Sequence, residues 1–403
     1  MKGVETLYRL SNTQKEVVLQ WQRFFHQNPE ISFNEVKTSE KITEILNHYG
    51  IENHRVGKST GISAEITGEL PSDSPKRIML RADIDALPME EQNDLPWKSQ
   101  NPGAAHTCGH DGHTAALLGA AVLLNNDRAS FSGSVRLIFQ PAEESVGGAS
   151  IMIREGELDG VDLAAGIHFW PALQSGKIAC EYGAAMAGCE HFCIRFLGKG
   201  GHISVPHLAN NPILSASETF IQLQTAAAQQ FSPFEELLIG VGKIVGGTQY
   251  NIIPEEALLE GTIRAFQPET LQKVRQVVRN TAEHIAAANN NTCDISFGNG
   301  IPPVMNNPKA VDLAIETASA LIGKENVLTE IPKQFTGDDF SFYAVEKPAA
   351  YIKIGSWDPS RPETNNPLHS PRFNLDEKAL YLAAEYFANY ACAFLRNPAE
   401  ESI

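Results

Sequence analysis

The chain has 403 residues, of which 42% are hydrophobic and 20% are charged, a composition typical of a globular protein. It is too long for one small core, so we expect two domains. The formal net charge is -16 at pH 7, which argues against a nucleic-acid or anionic-membrane partner, because both need a basic surface.

Cysteine usage and hydropathy both favour a location in the cytoplasm. The chain has 6 scattered cysteines and no Cys-x-x-Cys pair, which favours a reducing compartment over a disulfide framework. The N-terminal segment lacks the apolar core of a signal peptide, and no stretch reaches the roughly 18 uninterrupted apolar residues of a membrane span. The sequence therefore predicts a cytoplasmic protein.

The first half of the chain alternates predicted helices and strands. The hydrophobic spacing predicts helices over 13–27 and 35–48, and strands over 61–66, 77–81, 134–139 and 162–167. Polar residues follow three of these strands, namely Asp83 and Asp85, Glu143 and Glu144, and His168. This order is typical of an α/β sheet, whose sites form at the carboxyl ends of strands, so we expect these side chains to converge.

The order of predicted elements changes near residue 188. The segment continues as strand, helix, two strands, helix and strand, over 190–197, 209–228, 238–245, 256–265, 269–289 and 292–298. This βαββαβ order predicts a ferredoxin-like module that is inserted into the first domain. We therefore expect a discontinuous catalytic domain of residues 1–187 and 299–403, and a satellite domain of residues 188–298.

The densest group of metal-binding residue types lies within residues 106–113. Cys108 and His110 have Cys-x-His spacing, and on an extended backbone both side chains would point the same way, as chelation requires. Three other interpretations stay open: an activated cysteine nucleophile, a structural zinc site and a polar loop. The adjacent Glu143 and Glu144 suit a pair in which one carboxylate binds a metal and the other takes a proton from water.

Histidines and carboxylates elsewhere complete a possible metal site. His168 follows an apolar strand, where a buried structural histidine is the alternative, and His369 lies in a loop between two prolines. Asp83 and Asp85 suit metal ligation, orientation of an imidazole or capping of a turn. Together with the two clusters, these histidines form a Cys/His/Glu/His/His set, which is enough for two metals with open positions.

The predicted satellite domain carries three residues suited to substrate binding, His202, Asn251 and Arg264. An arginine binds a carboxylate through two hydrogen bonds, and asparagine or histidine can donate to a carbonyl oxygen. Spacing alone favours ordinary turn and surface roles for these three residues.

In combination and in this order, the motifs resemble those of metal-dependent N-acyl-amino-acid amidohydrolases. The resemblance is to the hippurate hydrolase and indole-acetyl-amino-acid hydrolase branch of the aminoacylase and zinc-carboxypeptidase superfamily. The motifs cover nearly the whole chain, at residues 26–30, 81–89, 106–113, 139–144, 166–168, 337–341 and 368–373. The resemblance implies an α/β metallopeptidase-like catalytic domain with a mixed sheet and flanking helices, and a satellite domain that serves as a lid or in dimerisation.

The resemblance also implies a role for each matching residue. Two divalent metal ions per subunit, of manganese, zinc, nickel or cobalt, would be held by Cys108, His110, Glu144, His168 and His369. Glu143 matches the general base, and Asp85 matches the carboxylate that orients a site residue. His202, Asn251 and Arg264 match satellite positions that bind the tetrahedral oxyanion and the substrate carboxylate.

The sequence therefore predicts hydrolysis of N-acyl amino acids, with an acetyl, benzoyl or similar aromatic acyl group, by a homo-oligomer that is a dimer or a tetramer. A dipeptidase or an N-acyl-diaminopimelate deacylase is the alternative within the superfamily. Two alternatives belong to other classes. One is a cysteine hydrolase that uses Cys108 with His110, and the other is a non-catalytic protein that binds a metal or a ligand.

Overall fold

The computed structural model describes residues 7–298 and 300–396. The chain forms two compact units over these residues. Within the described residues, the first comprises 7–185, 305–332 and 339–396, and the second comprises 186–298, 300–304 and 333–338. Among the described residues, no helix has the length and apolarity that crossing a bilayer would need.

Helices and strands alternate along most of the described chain. The helices are α1 (Asn12–Gln27), α2 (Val36–His48), α3 (His110–Asn126), α4 (Gly148–Arg154), α5 (Pro212–Gln230), α6 (Pro268–Ala288), α7 (Pro308–Ile322), α8 (Ser341–Glu346) and α9 (Glu377–Arg396). The strands are β1 (Glu52–Arg55), β2 (Ile62–Thr67), β3 (Arg77–Asp83), β4 (Ser134–Gln140), β5 (Leu163–Gln174), β6 (Ile178–Ala179), β7 (Gly183–Met186), β8 (Gly188–Leu197), β9 (Gly201–His202), β10 (Leu237–Gly246), β11 (Ile252–Ile253), β12 (Glu256–Ala265), β13 (Thr292–Phe297), β14 (Val304–Asn306), β15 (Val327–Leu328) and β16 (Ala349–Trp357).

A mixed eight-stranded sheet forms the centre of the first unit, in the order β1-β2-β4-β3-β5-β16-β6-β15. β3 pairs in parallel with both β4 and β5, and β5 pairs in parallel with β16. Since parallel strands end at the same edge of a sheet, the segments that follow β3 and β4 leave the sheet side by side. That edge carries the candidate site.

Helix α3 is buried from His110 to Leu124 because it packs in the first unit against β3 as well as α1 and α9. Small residues allow this close packing. A Cβ atom added at Gly119 would lie 3.0 Å from Val18 of α1 and from Ala384 of α9. The helix is therefore held on several sides, which fixes the position of its first turn.

Strand β5 is longer than the sequence predicts. The predicted strand ends before His168, whereas β5 continues to Gln174 because β16 pairs with it over this region. Lys353 is opposite His168, and Gly355 is opposite Trp170. His168 therefore projects from the middle of a strand, not from a loop at its end.

The second unit contains a four-stranded antiparallel sheet in the order β10-β12-β8-β13. Alternate residues of β8, Phe192, Ile194 and Phe196, are fully buried in a core shared with α5 and α6. The main elements follow the predicted βαββαβ order, with the short strands β9 and β11 added between them.

The segment Lys333–Asp338 differs from the predicted domain division. The sequence predicts that it belongs to the catalytic domain, whereas it lies in the second unit. The reason is local hydrogen bonding, since Arg264 donates to the carbonyl oxygen of Phe335, and the N–H of Ala187 donates to that of Thr336. The second unit also continues to Val304, past the predicted boundary at residue 299. Residue 299 itself lies outside the described residues, as do residues 1–6 and 397–403. The catalytic and satellite roles of the two units stay predictions.

Candidate active site

The first unit brings the predicted metal ligands together in two overlapping groups that share Cys108. Cys108 offers a ligand atom within 4.8 Å of those of His110 and His168, and a second group with the same spacing joins Cys108 to Glu144 and His369. All of these residues are buried or half-buried except His369, whose side chain is 52% exposed. Residues that are up to 261 positions apart in the sequence therefore meet at one sheet edge.

The predicted general base belongs to a third group, which shares His110 with the first and Glu144 with the second. Ligand atoms of Glu143, Glu144 and His110 all lie within 4.8 Å of one another. Oε2 of Glu143 is 4.0 Å from Nε2 of His110. The two glutamates lie in the segment of residues 141–147 between β4 and α4, which we call the carboxylate loop.

The backbone between Cys108 and His110 is not the extended one on which both side chains would point the same way. Gly109 has φ +92°, a left-handed conformation that glycine adopts without a steric penalty, and α3 begins at His110. The chain therefore turns sharply between the two residues. Their side chains nevertheless meet, because Cys108 precedes the turn and His110 occupies the first position of the helix.

Backbone carbonyl groups orient two of the histidines. Nδ1 of His110 lies 2.9 Å from the carbonyl oxygen of Asp85, and Nδ1 of His168 lies 2.7 Å from that of Phe169. Because a carbonyl oxygen only accepts, both Nδ1 atoms carry a proton, and each Nε2 is directed toward the group. Nε2 of His168 is 3.5 Å from Sγ of Cys108.

The carboxylate of Asp85 connects the carboxylate loop to the start of α3. Its Oδ1 accepts the N–H of Glu143 and its Oδ2 accepts that of Glu144, both at 3.1 Å. Ser32 donates to Oδ2 at 2.7 Å, and Nδ1 of His110 is 3.4 Å from Oδ1. This geometry fits the orienting role predicted for Asp85, because one carboxylate sets the backbone of both glutamates.

Asp83 and His113 form a hydrogen-bonded pair behind this group. Nδ1 of His113 donates to Asp83 at 2.6 Å, and its Nε2 accepts the N–H of Phe169 at 3.1 Å. Both ring nitrogens of His113 therefore have partners, unlike Nε2 of His110. Burial raises the pKa of Asp83, but Arg81 and the two histidines His110 and His113 outweigh it and hold that pKa well below its usual range.

Arg81, Gln140 and Asp339, to which the sequence assigns no role, form a hydrogen-bonded network with Asp83. Arg81 donates to Asp83 and, at 2.9 Å, to both Asp339 and Gln140. Asp339 also accepts from Gln140 at 2.7 Å and from the N–H of Ala149 in the first turn of α4, at 3.0 Å. All three lie inside the motifs that carry the family resemblance, and this position is the sequence signal for a role at the site. Their partners could not be identified because they are distant in sequence.

Two further polar residues of the 106–113 segment, Asp111 and His106, are buried. Asp111 accepts from Gln22 at 2.6 Å and lies 2.8 Å from Nδ1 of His26, whose other nitrogen is 3.2 Å from Glu91. His106 is buried, and neither of its ring nitrogens has a hydrogen-bond partner among residues 7–298 and 300–396. Asp111 thus joins α3 to α1.

The three predicted substrate-binding residues lie in the second unit. The pairing of β9 with β11 places the exposed His202 near Asn251, which directly precedes β11. Oγ of Ser204 is 2.7 Å from Nδ1 of His202. Arg264 lies on β12, where its guanidinium donates to the carbonyl oxygen of Phe335. Their proposed contacts with substrate stay predictions.

The donor set of the first unit fits a divalent metal cation. Burial and the charges of Glu144 and Glu143 raise the pKa of Cys108 well above its usual range. Burial lowers the pKa of His110, but Asp83 and Asp85 outweigh it and raise that pKa to about 10. Excess negative charge therefore surrounds these donors, as a cation site requires. Nε2 of His110 is also buried and has no hydrogen-bond partner among the described residues.

Fold and ligand group together define a metal-dependent hydrolase that acts on amide bonds. The chain belongs to the peptidase family M20/M25/M40, whose sequence profile matches residues 79–393. The predicted α/β fold and the predicted enzyme class are thereby confirmed.

Similar proteins support this assignment. The chain is 37% identical over 393 residues to N-acetyl-L-cysteine deacetylase of Bacillus subtilis strain 168, covering 98% of this chain and 91% of the relative. It is 34% identical over 373 residues to hippurate hydrolase of Campylobacter jejuni, covering 92% of this chain and 94% of the relative. A dinuclear metal-binding peptidase of the M20 family from Bacillus subtilis has a similar structure, with a TM-score of 0.83, 34% identity, and coverage of 98% and 100%.

Proposed function

We propose that this protein hydrolyses the amide bond of N-acyl amino acids and releases a carboxylate and a free amino acid. The observation that carries the proposal is the position of Glu143, which shares one group of ligand atoms with His110 and Glu144. The names of two relatives support the substrate class, since N-acetylcysteine and hippurate are both N-acylated amino acids. The acyl group is therefore acetyl, benzoyl or a similar aromatic group.

Five residues of the first unit would hold two divalent metal ions, of manganese, zinc, nickel or cobalt: Cys108, His110, Glu144, His168 and His369. Thiolate, imidazole and carboxylate donors in this combination suit borderline divalent metals. When bound, the metals supply Lewis acidity to the acyl carbonyl and to the attacking water. The dinuclear metal-binding relative supports the number of ions.

Glu143 would act as general base and then as general acid. It takes a proton from the water whose oxygen attacks the acyl carbon, and it delivers that proton to the amine nitrogen as the C–N bond breaks. Asp85 contributes by position, because its carboxylate holds the backbone N–H groups of Glu143 and Glu144. A general base must lie within hydrogen-bonding reach of the proton that it removes, so this step depends on the position of the loop backbone.

Three residues of the second unit would bind substrate. Arg264 and Asn251 would hold the substrate carboxylate, because a guanidinium and an amide both donate to carboxylate oxygens. His202 would donate to the oxyanion that forms at the acyl carbon. The cytoplasmic location, the homo-oligomer and the lid or dimerisation role of this unit also stay predictions from the sequence.

The rival cysteine hydrolase is opposed by electrostatics. A nucleophilic cysteine needs a lowered pKa, because the thiolate is the reactive form. Burial and the carboxylates of Glu144 and Glu143 instead raise the pKa of Cys108. The rival non-catalytic binding protein would have no need of Glu143, which stands beside the proposed ligands.

The test is a hydrolysis screen on metal-free protein to which manganese, cobalt, nickel or zinc is added singly. The substrates are acetyl, benzoyl and indole-acetyl amino acids, N-succinyl-diaminopimelate and a set of dipeptides, and the measurement is release of the free amine. We expect metal-dependent release from at least one acyl amino acid and its loss on chelation. Turnover of dipeptides alone selects the dipeptidase, and metal-independent turnover that alkylation stops selects the cysteine hydrolase. If the protein hydrolyses none of these substrates, the proposal is contradicted.

A further inference from the structure

The carboxylate loop has an unusual backbone. Among the described residues, the non-glycine residues with positive φ are Phe33, Ala142, Val146, Asn290 and His369. Ala142, at φ +50°, directly precedes Glu143 and Glu144. A left-handed conformation is unfavourable for a residue with a Cβ atom, so it persists only where surrounding contacts impose it.

Two carboxylates impose it, one on each side of Ala142. Oε1 of Glu35 accepts the N–H of Ala142 at 2.9 Å, which holds the peptide plane before this residue. Oδ1 of Asp85 accepts the N–H of Glu143 at 3.1 Å, which holds the peptide plane after it. Because φ and ψ of Ala142 are the rotations that relate these two planes, the two hydrogen bonds together fix its conformation.

The surroundings of Glu35 indicate that its side chain serves this loop. Glu35 is 0% exposed and precedes α2, yet its side chain does not cap that helix. Its second oxygen accepts from Oγ1 of Thr60 at 2.5 Å. Within residues 7–298 and 300–396, no basic side chain pairs with this buried carboxyl group, which burial disfavours in its charged form. Ala142 is also 0% exposed, so its N–H would lose its acceptor if the carboxylate were removed.

We propose that Glu35 is a positioning residue for hydrolysis, because its hydrogen bond to Ala142 sets the direction of Glu143 and Glu144. This inference rests on the proposed function of those two glutamates as base and metal ligand. Loss of the acceptor lets the peptide before Ala142 rotate, and Ala142 then relaxes toward negative φ. Both glutamates move as a result.

The test compares three variants that perturb the same region. Glu35→Met removes the acceptor and keeps the length of the side chain, whereas Glu35→Gln keeps an oxygen for Ala142 and an amide for Thr60. Ser39→Ala is the matched control, since Ser39 is buried in α2 and its hydroxyl contacts the backbone oxygens of Glu35, at 2.6 Å, and of Thr60, but not the carboxylate of Glu35. The measurements are the affinity for manganese, kcat and KM at saturating manganese, and the unfolding temperature.

We expect Glu35→Met to lower kcat by about 100-fold with KM nearly unchanged, the loss typical of a displacement of about 1 Å in a catalytic group. We expect it to weaken manganese binding by about 10-fold or more, because Glu144 moves with the loop. Glu35→Gln should stay within about threefold of wild type in both measurements, since it keeps the hydrogen bond. Ser39→Ala should lower the unfolding temperature without either effect.

Equal kcat and manganese affinity in Glu35→Met and Ser39→Ala would overturn the proposal, as would losses in Glu35→Gln as large as those in Glu35→Met. If Glu35→Met does not fold, Thr60→Val replaces it. That variant frees Oε2 of Glu35 and should give a smaller loss of kcat that Ser39→Ala lacks. If the wild type hydrolyses no substrate of the screen, the proposed function fails, but the manganese affinities still decide whether Glu35 positions Glu144.

Discussion

Sγ of Cys108 lies 3.5 Å from Nε2 of His168, and both residues are buried. Nδ1 of His168 donates its proton to the backbone carbonyl oxygen of Phe169, so Nε2 carries no proton and its lone pair faces the sulfur. A thiol and an imidazole in this relationship are suited to share one cation, which leads to the first prediction.

Replacement of Cys108 by alanine should remove metal. We expect Cys108→Ala to lower the affinity for manganese by more than the roughly 10- to 100-fold that loss of an outer-shell partner causes. Cys180→Ala is the control, because Cys180 is also a free and fully buried cysteine but lies in the hydrophobic core of the first unit. Metal content per chain after dialysis against a metal buffer measures the difference. Equal metal content in the two variants would remove Cys108 from the ligand set.

Replacement of Asp85 by asparagine should slow hydrolysis by misplacing the carboxylate loop. An asparagine offers one acceptor oxygen, whereas Asp85 uses two for the N–H groups of Glu143 and Glu144. We expect kcat to fall by about 10- to 100-fold, as for loss of an orienting partner. Ser32→Ala removes only the hydroxyl that donates to Asp85 and should have a smaller effect. A steady-state comparison in which the two variants lose the same activity would contradict this role.

The cluster of His26, Asp111 and Glu91 should make stability depend on pH. Burial lowers the pKa of His26, but its hydrogen bonds and charge interactions with Asp111 and Glu91 outweigh burial and raise that pKa from 6.5 to about 10. A raised pKa means that the folded state binds the proton more tightly, so this stabilisation is complete below pH 6.5 and is lost as the pH rises through 10. The loss is at most about 1.4 kcal/mol per pH unit.

His26→Gln should therefore destabilise the protein more at pH 6 than at pH 9. Urea unfolding at both values measures the difference in the free energy of unfolding between the variant and wild type. Gln20→Ala, at an exposed position of α1 that carries no titratable group, is the control and should show the same difference at both values. A His26→Gln difference that is constant with pH, or larger at pH 9, would show that the cluster does not hold a charged imidazole.

Arg264 should recognise the free carboxylate of the substrate. We expect Arg264→Gln to raise KM for an N-acyl amino acid by about 10- to 100-fold, the effect of losing a hydrogen bond to a charged group. The methyl ester of the same compound should show no such change, because it lacks the charge. Arg275→Gln changes an arginine of α6 with 52% side-chain exposure and serves as the control. An equal rise in KM for acid and ester would assign Arg264 a structural role only.

The ligand group could be predicted because each ligand stands in a short motif next to a strand or at the start of a helix. β3 ends at Asp83 and β4 at Gln140, and the parallel pairing of these strands places the following carboxylates at one edge. The alternating order of strands and helices therefore indicated that the site would form at the carboxyl ends of the parallel strands. The chemistry of the side chains then restricted what it could bind.

The supporting residues could not be predicted because their partners are remote and their roles depend on backbone geometry. Glu35 is 107 residues from Ala142 in the sequence. The hydrogen bond between them accompanies the left-handed conformation of Ala142, which no local sequence motif predicts. Arg81 and Asp339 are 258 residues apart. The segment Lys333–Asp338 joins the second unit through hydrogen bonds to backbone carbonyls, which have no sequence signature.

The most direct test of the account is the activity and metal content of Glu143→Gln beside those of Glu144→Gln. Glutamine has nearly the same shape as glutamate but cannot accept the proton of water. We expect Glu143→Gln to keep its metal and lose about 10²- to 10⁴-fold in kcat, the contribution of a general base, whereas Glu144→Gln should lose metal affinity. Full activity in metal-loaded Glu143→Gln would contradict the central claim that this carboxylate transfers the proton.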